Sequence, residues 1–213
     1  MSNKVNEFSI IEEIWHAITH GLGLALSIAG LTIMVAYAAM SGSIISVVAS
    51  AIFGTTLIIL YGASTLYHAI THHDLKQRFQ LFDHASIYIL IAGSYTPVTL
   101  VALGGVWGWS IFSVVWTISI IGIIIKFAYP GRFERLSLVL YILLGWLIVI
   151  ATKPLLESMD SNGLWLLLAG GFSYSVGIIF YVGEKIPFNH AIWHLFVLGG
   201  SVLHFFMVVL YII

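Results

Sequence analysis

Long apolar blocks alternate with short polar or glycine-rich breaks, at roughly residues 16–40, 44–68, 83–103, 107–128, 135–152, 163–183 and 190–213. Blocks of about 20 residues match the ~30 Å hydrocarbon core of a bilayer at ~1.5 Å of helix rise per residue. A helix of that length pairs its backbone N–H and C=O groups internally, as hydrocarbon demands. The alternating strands of a membrane β-barrel do not appear. The pattern predicts an all-α membrane protein, a seven-transmembrane helix bundle. Its breaks fall at Ser41–Ser43, Thr71–Gln80, Gly104–Gly105, Pro130–Arg132, Lys153–Asn162 and Glu184–Pro187.

Composition excludes a water-soluble alternative. Of 213 residues, 60% are hydrophobic and 8% charged, against about 25% charged in soluble chains. A net charge of −1 and the lack of any Lys/Arg tract exclude nucleic acid as a partner. The absence of cysteine leaves His, Asp and Glu as the ligands available to a metal. No small-residue cleavage site follows the first apolar run, so no removable leader is expected. Alternating the breaks between two sides groups Lys4, Lys76, Arg78, Lys126, Arg132, Arg135 and Lys185 with the N-terminus and leaves Lys153 opposite. The positive-inside rule then puts the N-terminus in the cytoplasm and Ile213 outside, the reverse of a G-protein-coupled receptor. Residues 1–15 read as a short cytoplasmic segment. Residues 16–213 read as a single seven-helix transmembrane domain, multi-pass in the cell (plasma) membrane.

Eight of the nine histidines fall at the predicted cytoplasmic ends of spans one, two, three and seven or in the loop joining two and three. His190 and His194 stand at i and i+4, so both imidazoles leave one helix face and can grip one ion. His68 closes the second span at the same depth and can add a third nitrogen. Three neutral imidazoles with an open fourth position would make a catalytic-type zinc site. Asp83, expected to open the third span, can orient or deprotonate water there or hold a ligand imidazole; it can equally be a helix N-cap. Ser64, four residues before His68 and on the same face, can hydrogen-bond the water or a substrate carbonyl. His16 and His20 form a second i, i+4 pair, so spacing alone does not choose between the pairs. His72, His73 and His84 read as interfacial side chains.

Ser64-Thr65-Leu66-Tyr67-His68, then Asp83 through Ile91-Ala92-Gly93-Ser94-Tyr95-Thr96-Pro97, then His190-Ala191-Ile192-Trp193-His194 with His204-Phe205 resemble the three signature motifs of the progestin and adipoQ receptor family, whose bacterial branch is called hemolysin III. The resemblance spans nearly the whole chain. It implies that His68, His190 and His194 bind Zn2+ and that Asp83 contacts the zinc-bound water. It also implies that His16 stands where animal members carry Asn, and that His16 and His20 pack against the site or hydrogen-bond to it. A further resemblance, to alkaline ceramidases in the Ser, Asp and triple-His pattern, implies hydrolysis of a lipid amide or ester.

These readings lead to a zinc-binding lipid hydrolase or lipid sensor whose partners are the bilayer and a membrane lipid entering from the inner leaflet. A pore-forming cytolysin is the alternative suggested by the bacterial family name. An ion or proton transporter is a third, against which stands the confinement of charged groups to one end of the bundle.

Overall fold

The computed structural model describes residues 8–183 and 185–213; of the expected N-terminal segment, residues 1–7 with Lys4 lie outside it, as does Glu184 of the sixth break. Helix α1 (Ile10–Met40) begins six residues earlier than the apolar block suggested. The reason is local. Ser9 and Glu12 form a capping box, in which the Ser9 hydroxyl accepts from the Glu12 amide and the Glu12 carboxylate accepts from the Ser9 amide at 3.0 Å. Residues 10–15 are therefore the first turns of a helix.

Helices α2 (Ile44–Ala69), α3 (His73–Pro97) and α4 (Gly105–Ala128) follow. The third element corrects the predicted loop: His73–Gln80 is helix, so Asp83 lies in its third turn and is no N-cap. The polarity of Asp74, Lys76, Gln77, Arg78 and Gln80 hid two helical turns. Pro97 cannot donate back along the helix, and the chain runs on through a wider π-helical turn, Val98–Leu103, closed by a Gly104 N–H to Thr99 C=O bond of 2.9 Å. Gly104 and Gly105, at φ +58° and +52°, then reverse into α4 with backbone angles that side-chain-bearing residues rarely adopt.

The fifth span is interrupted. It consists of α5 (Glu134–Gly145), a 3-10 stretch (Leu147–Ala151) and α6 (Thr152–Ser158). The Tyr95 hydroxyl fills the break: it donates to the Leu144 carbonyl at 2.7 Å and accepts the Ile148 N–H at 2.9 Å. Helices α7 (Ser161–Val182) and α8 (Asn189–Tyr211) complete the chain. Among the described residues, seven helical stretches are thus long and apolar enough to cross a membrane.

The spans turn small and polar groups inward and large apolar ones outward. The buried face of α1 reads His16, Thr19, His20, Gly23, Ser27, Gly30, Met34, Ala38, while Ile14, Ile18, Leu22 and Leu26 face out. Lipid solvates that outer face, and the small residues permit close approach. A Cβ on Gly23 would fall within 3.0 Å of the Tyr61 ring, and one on Gly170 would meet the His204 ring. α1 packs against α2 and α8, α2 against α3, and α7 against α8. This order brings the first, second and last spans together at one end.

Candidate metal centre

His68 occupies the last turn of α2 and is 3% exposed; His190 and His194 occupy the first two turns of α8, at 6% and 0%. The start of α8 is fixed by Phe188, whose left-handed backbone (φ 54°) turns the chain into the helix. Asn189 Nδ2 donates to the Phe180 carbonyl at 3.1 Å, which ties that start to α7. One ring nitrogen from each of His68, His190 and His194 lies within 4.8 Å of the others.

The hydrogen bonding of these rings is one-sided. His68 Nδ1 is 2.6 Å from Glu13 Oε2, and His194 Nδ1 is 3.1 Å from Thr19 Oγ1. The Nε2 atoms of His68, His190 and His194 are all enclosed and have no hydrogen-bond partner. Unpartnered buried nitrogens are costly, and three buried imidazoles with ring nitrogens this close could hold a transition-metal ion. A carboxylate on the far nitrogen of a ligating histidine fixes tautomer and ring orientation, as in carboxylate–histidine–zinc triads. The residues present therefore fit a divalent ion such as zinc.

Around this group stand residues that the sequence left ambiguous or passed over. His16, fully buried, has ring centroids 4.7 Å from His68, 4.8 Å from His190 and 5.5 Å from His194. His20 stacks on His194 at 3.4 Å and 9° and shares a 2.7 Å hydrogen bond with Ser64 Oγ. The alternative pair on α1 is thus gathered into the same cluster. Ser64 is fully buried, with its hydroxyl engaged by His20 and beside the Asp83 carboxyl. Asp83 is buried too, but does not join the triad's ligand-atom group. His84 turns instead to Glu134, with Nδ1 3.4 Å from Oε2, where the Lys126 ammonium also binds at 2.5 Å.

Glu13 was missed because the first helix was expected to start at residue 16, whereas Thr19 lay inside the expected span. Ser9-x-x-Glu12 was the available signal: once the helix begins there, the spacing of Glu13, His16, Thr19 and His20 puts all four on one face.

A cavity of about 150 Å³ lies between α3, α5, α7 and α8. Its polar end is formed by His20, Asp83 and His84, and the rest is walled largely by apolar and aromatic side chains such as Leu90, Ile148, Trp193 and Val197, with His204 deeper in. His204 is held by Leu167, whose carbonyl is 3.2 Å from Nε2.

A family model described as Haemolysin-III related matches residues 8–205. "Hemolysin-3" of Bacillus cereus is 50% identical over 215 residues, covering 100% of this chain and 98% of that protein. The "Hemolysin-3 homolog" of Bacillus subtilis (strain 168) is 48% identical over 204 residues, 96% of each chain. The human "Monocyte to macrophage differentiation factor" is 31% identical over 168 residues, 74% of this chain and 67% of that one.

Proposed function

We propose, from the premise that the chain belongs to the haemolysin-III-related family of multi-pass membrane proteins, that it is a zinc-dependent hydrolase of membrane lipid amides or esters. The observation that carries this reading is the meeting of ring nitrogens of three buried histidines within 4.8 Å of one another, next to an apolar cavity that is lined by Asp83 and by His20, the ring stacked on His194. His68, His190 and His194 would hold the ion. When bound, zinc supplies Lewis-acid polarisation and acidifies water for attack.

The chain's own groups do the rest. The cavity takes the acyl chain and excludes bulk water. Asp83 accepts the proton of the attacking water as its oxygen bonds to the carbonyl carbon, then returns a proton to the departing amine or alcohol as the C–N or C–O bond breaks. Ser64 donates a hydrogen bond to the substrate carbonyl, with His20 holding its hydroxyl. Glu13 and Thr19 keep the rings of His68 and His194 turned so that Nε2 faces the ion.

The orientation belongs to the same proposal: N-terminus in the cytoplasm, C-terminus outside, one domain in the plasma membrane, and substrate drawn from the inner leaflet. A bundle whose outer face is a belt of Ile, Leu and Val supports residence in the membrane. The cytolysin reading rests on the relatives' names alone. The deciding experiment measures metal in the purified protein and then incubates it with labelled ceramides and acyl lipids. Metal with release of labelled fatty acid supports hydrolysis, metal with saturable lipid binding and no release makes the pocket a sensor, and no metal defeats the reading.

A further inference from the structure

Ligand-type atoms meet a second time beside the triad. The Glu13 carboxylate and ring nitrogens of His16 and His68 lie within 4.8 Å of one another. His16 is fully buried, both of its nitrogens are enclosed, and neither has a hydrogen-bond partner; Nδ1 stands 3.9 Å from Glu13 Oε2. A histidine serving only as packing would have little reason to leave both nitrogens bare at that cost.

This second group also lies where an ion can reach it. The triad's Nε2 atoms are sealed from solvent. An open cleft of about 440 Å³ is lined on its polar side by Glu13, His68, Thr71 and Lys76 and otherwise by apolar side chains that include Phe8, Ile14 and Ile18. Glu13 keeps 16% of its side chain exposed. On the inner side the His16 ring is edge-on to both His68 and His190. His16 therefore borders the cleft-side carboxylate and the triad at once.

We propose that Glu13, His16 and His68 form an outer transition-metal site through which a divalent ion passes from the cleft to the triad, an inference that rests on the triad's being a metal site. The outer site is built to be weak. Lys76 Nζ holds Glu13 Oε1 at 3.0 Å and places a positive charge beside any arriving cation. His68 belongs to both groups, and its Nδ1 is engaged by Glu13 Oε2, so the outer donor set is complete only while the triad is empty. Weak binding and a shared ligand suit transit; storage would need neither.

The test uses full-length apo protein in detergent or nanodiscs, with Zn2+ delivered from a chromophoric chelator and Co2+ followed by its visible absorption. In His16→Asn and His16→Gln the association and dissociation rates should fall together, by about tenfold or more, while the equilibrium affinity of the triad stays within about threefold of wild type. A second measurement does not depend on the triad: a His190→Ala/His194→Ala protein should keep weak Co2+ binding that is lost on adding His16→Asn. Wild-type rates in both His16 variants, or a loss of affinity with no loss of rate, would overturn the outer site while leaving the triad intact. Absence of any metal uptake by the wild type would overturn both.

Discussion

The Nδ1 atom of His68 and the Oε2 atom of Glu13 lie 2.6 Å apart, joining the end of the second span to the start of the first. This contact engages one nitrogen of His68 and makes α1 a part of the candidate metal centre although α1 gives the triad no histidine.

Glu13→Gln keeps a side chain of the same size but accepts less strongly from the imidazole N–H. Zinc affinity should fall about 10- to 100-fold, the range for loss of a ligand's supporting partner. Isothermal titration of the purified variant measures this directly. An unchanged affinity would remove Glu13 from the ligand-orienting role.

The proposed histidine ligands and the Asp83 carboxylate separate chemically. His194→Ala leaves two imidazoles and should release zinc during purification, as judged by metal content per chain. Asp83→Asn should retain zinc at saturating concentration and lose lipid hydrolysis, because the amide takes no proton from water. If Asp83→Asn empties the site as fully as His194→Ala, Asp83 is itself a ligand.

In the proposed orientation, with the basic loops and the N-terminus in the cytoplasm, Ile213 lies outside the cell. A C-terminal alkaline phosphatase fusion should be active, and a C-terminal fluorescent protein that matures only in the cytoplasm should stay dark. The opposite pair of signals reverses the orientation and puts the metal centre on the outer face.

Tyr95→Phe removes the hydroxyl that bonds Leu144 and Ile148 across the break in the fifth span. The freed backbone groups lie in the protein interior without water, so unfolding free energy should drop by about 1–3 kcal/mol. Thermal unfolding in detergent reads this, with metal content as the check that the fold is otherwise retained.

Span number and type were legible because hydrocarbon imposes them: about 20 apolar residues per crossing is a requirement strong enough to read without a structure. Element ends were not. The first two turns of α3 carry Asp74, Lys76 and Arg78, as a loop does, yet are helix, with the Lys76 ammonium donating to the Tyr67 and Ile70 carbonyls at the end of α2. The same error at α1 concealed Glu13, read as polar punctuation. The triad was legible because His190 and His194 share a helix face and His68 ends a span at matching depth. The place of His16 and His20 around it was expected from the family resemblance and not from their spacing, because α1 and α8 are the first and last spans and only packing brings them into contact. The interruption of span five was equally hidden, since its sequence stays apolar throughout Leu143–Ala151.

The candidate metal centre draws on both ends of the chain, with Glu13, His16 and His68 made early and His190 and His194 made last. During synthesis the early group reaches the membrane first, and the triad comes into being only when the seventh span inserts beside the first. Loading of the proposed triad with metal would therefore be a chemical record of completed assembly: a chain halted after six spans holds the outer donors and one imidazole of three, and so the weak site alone.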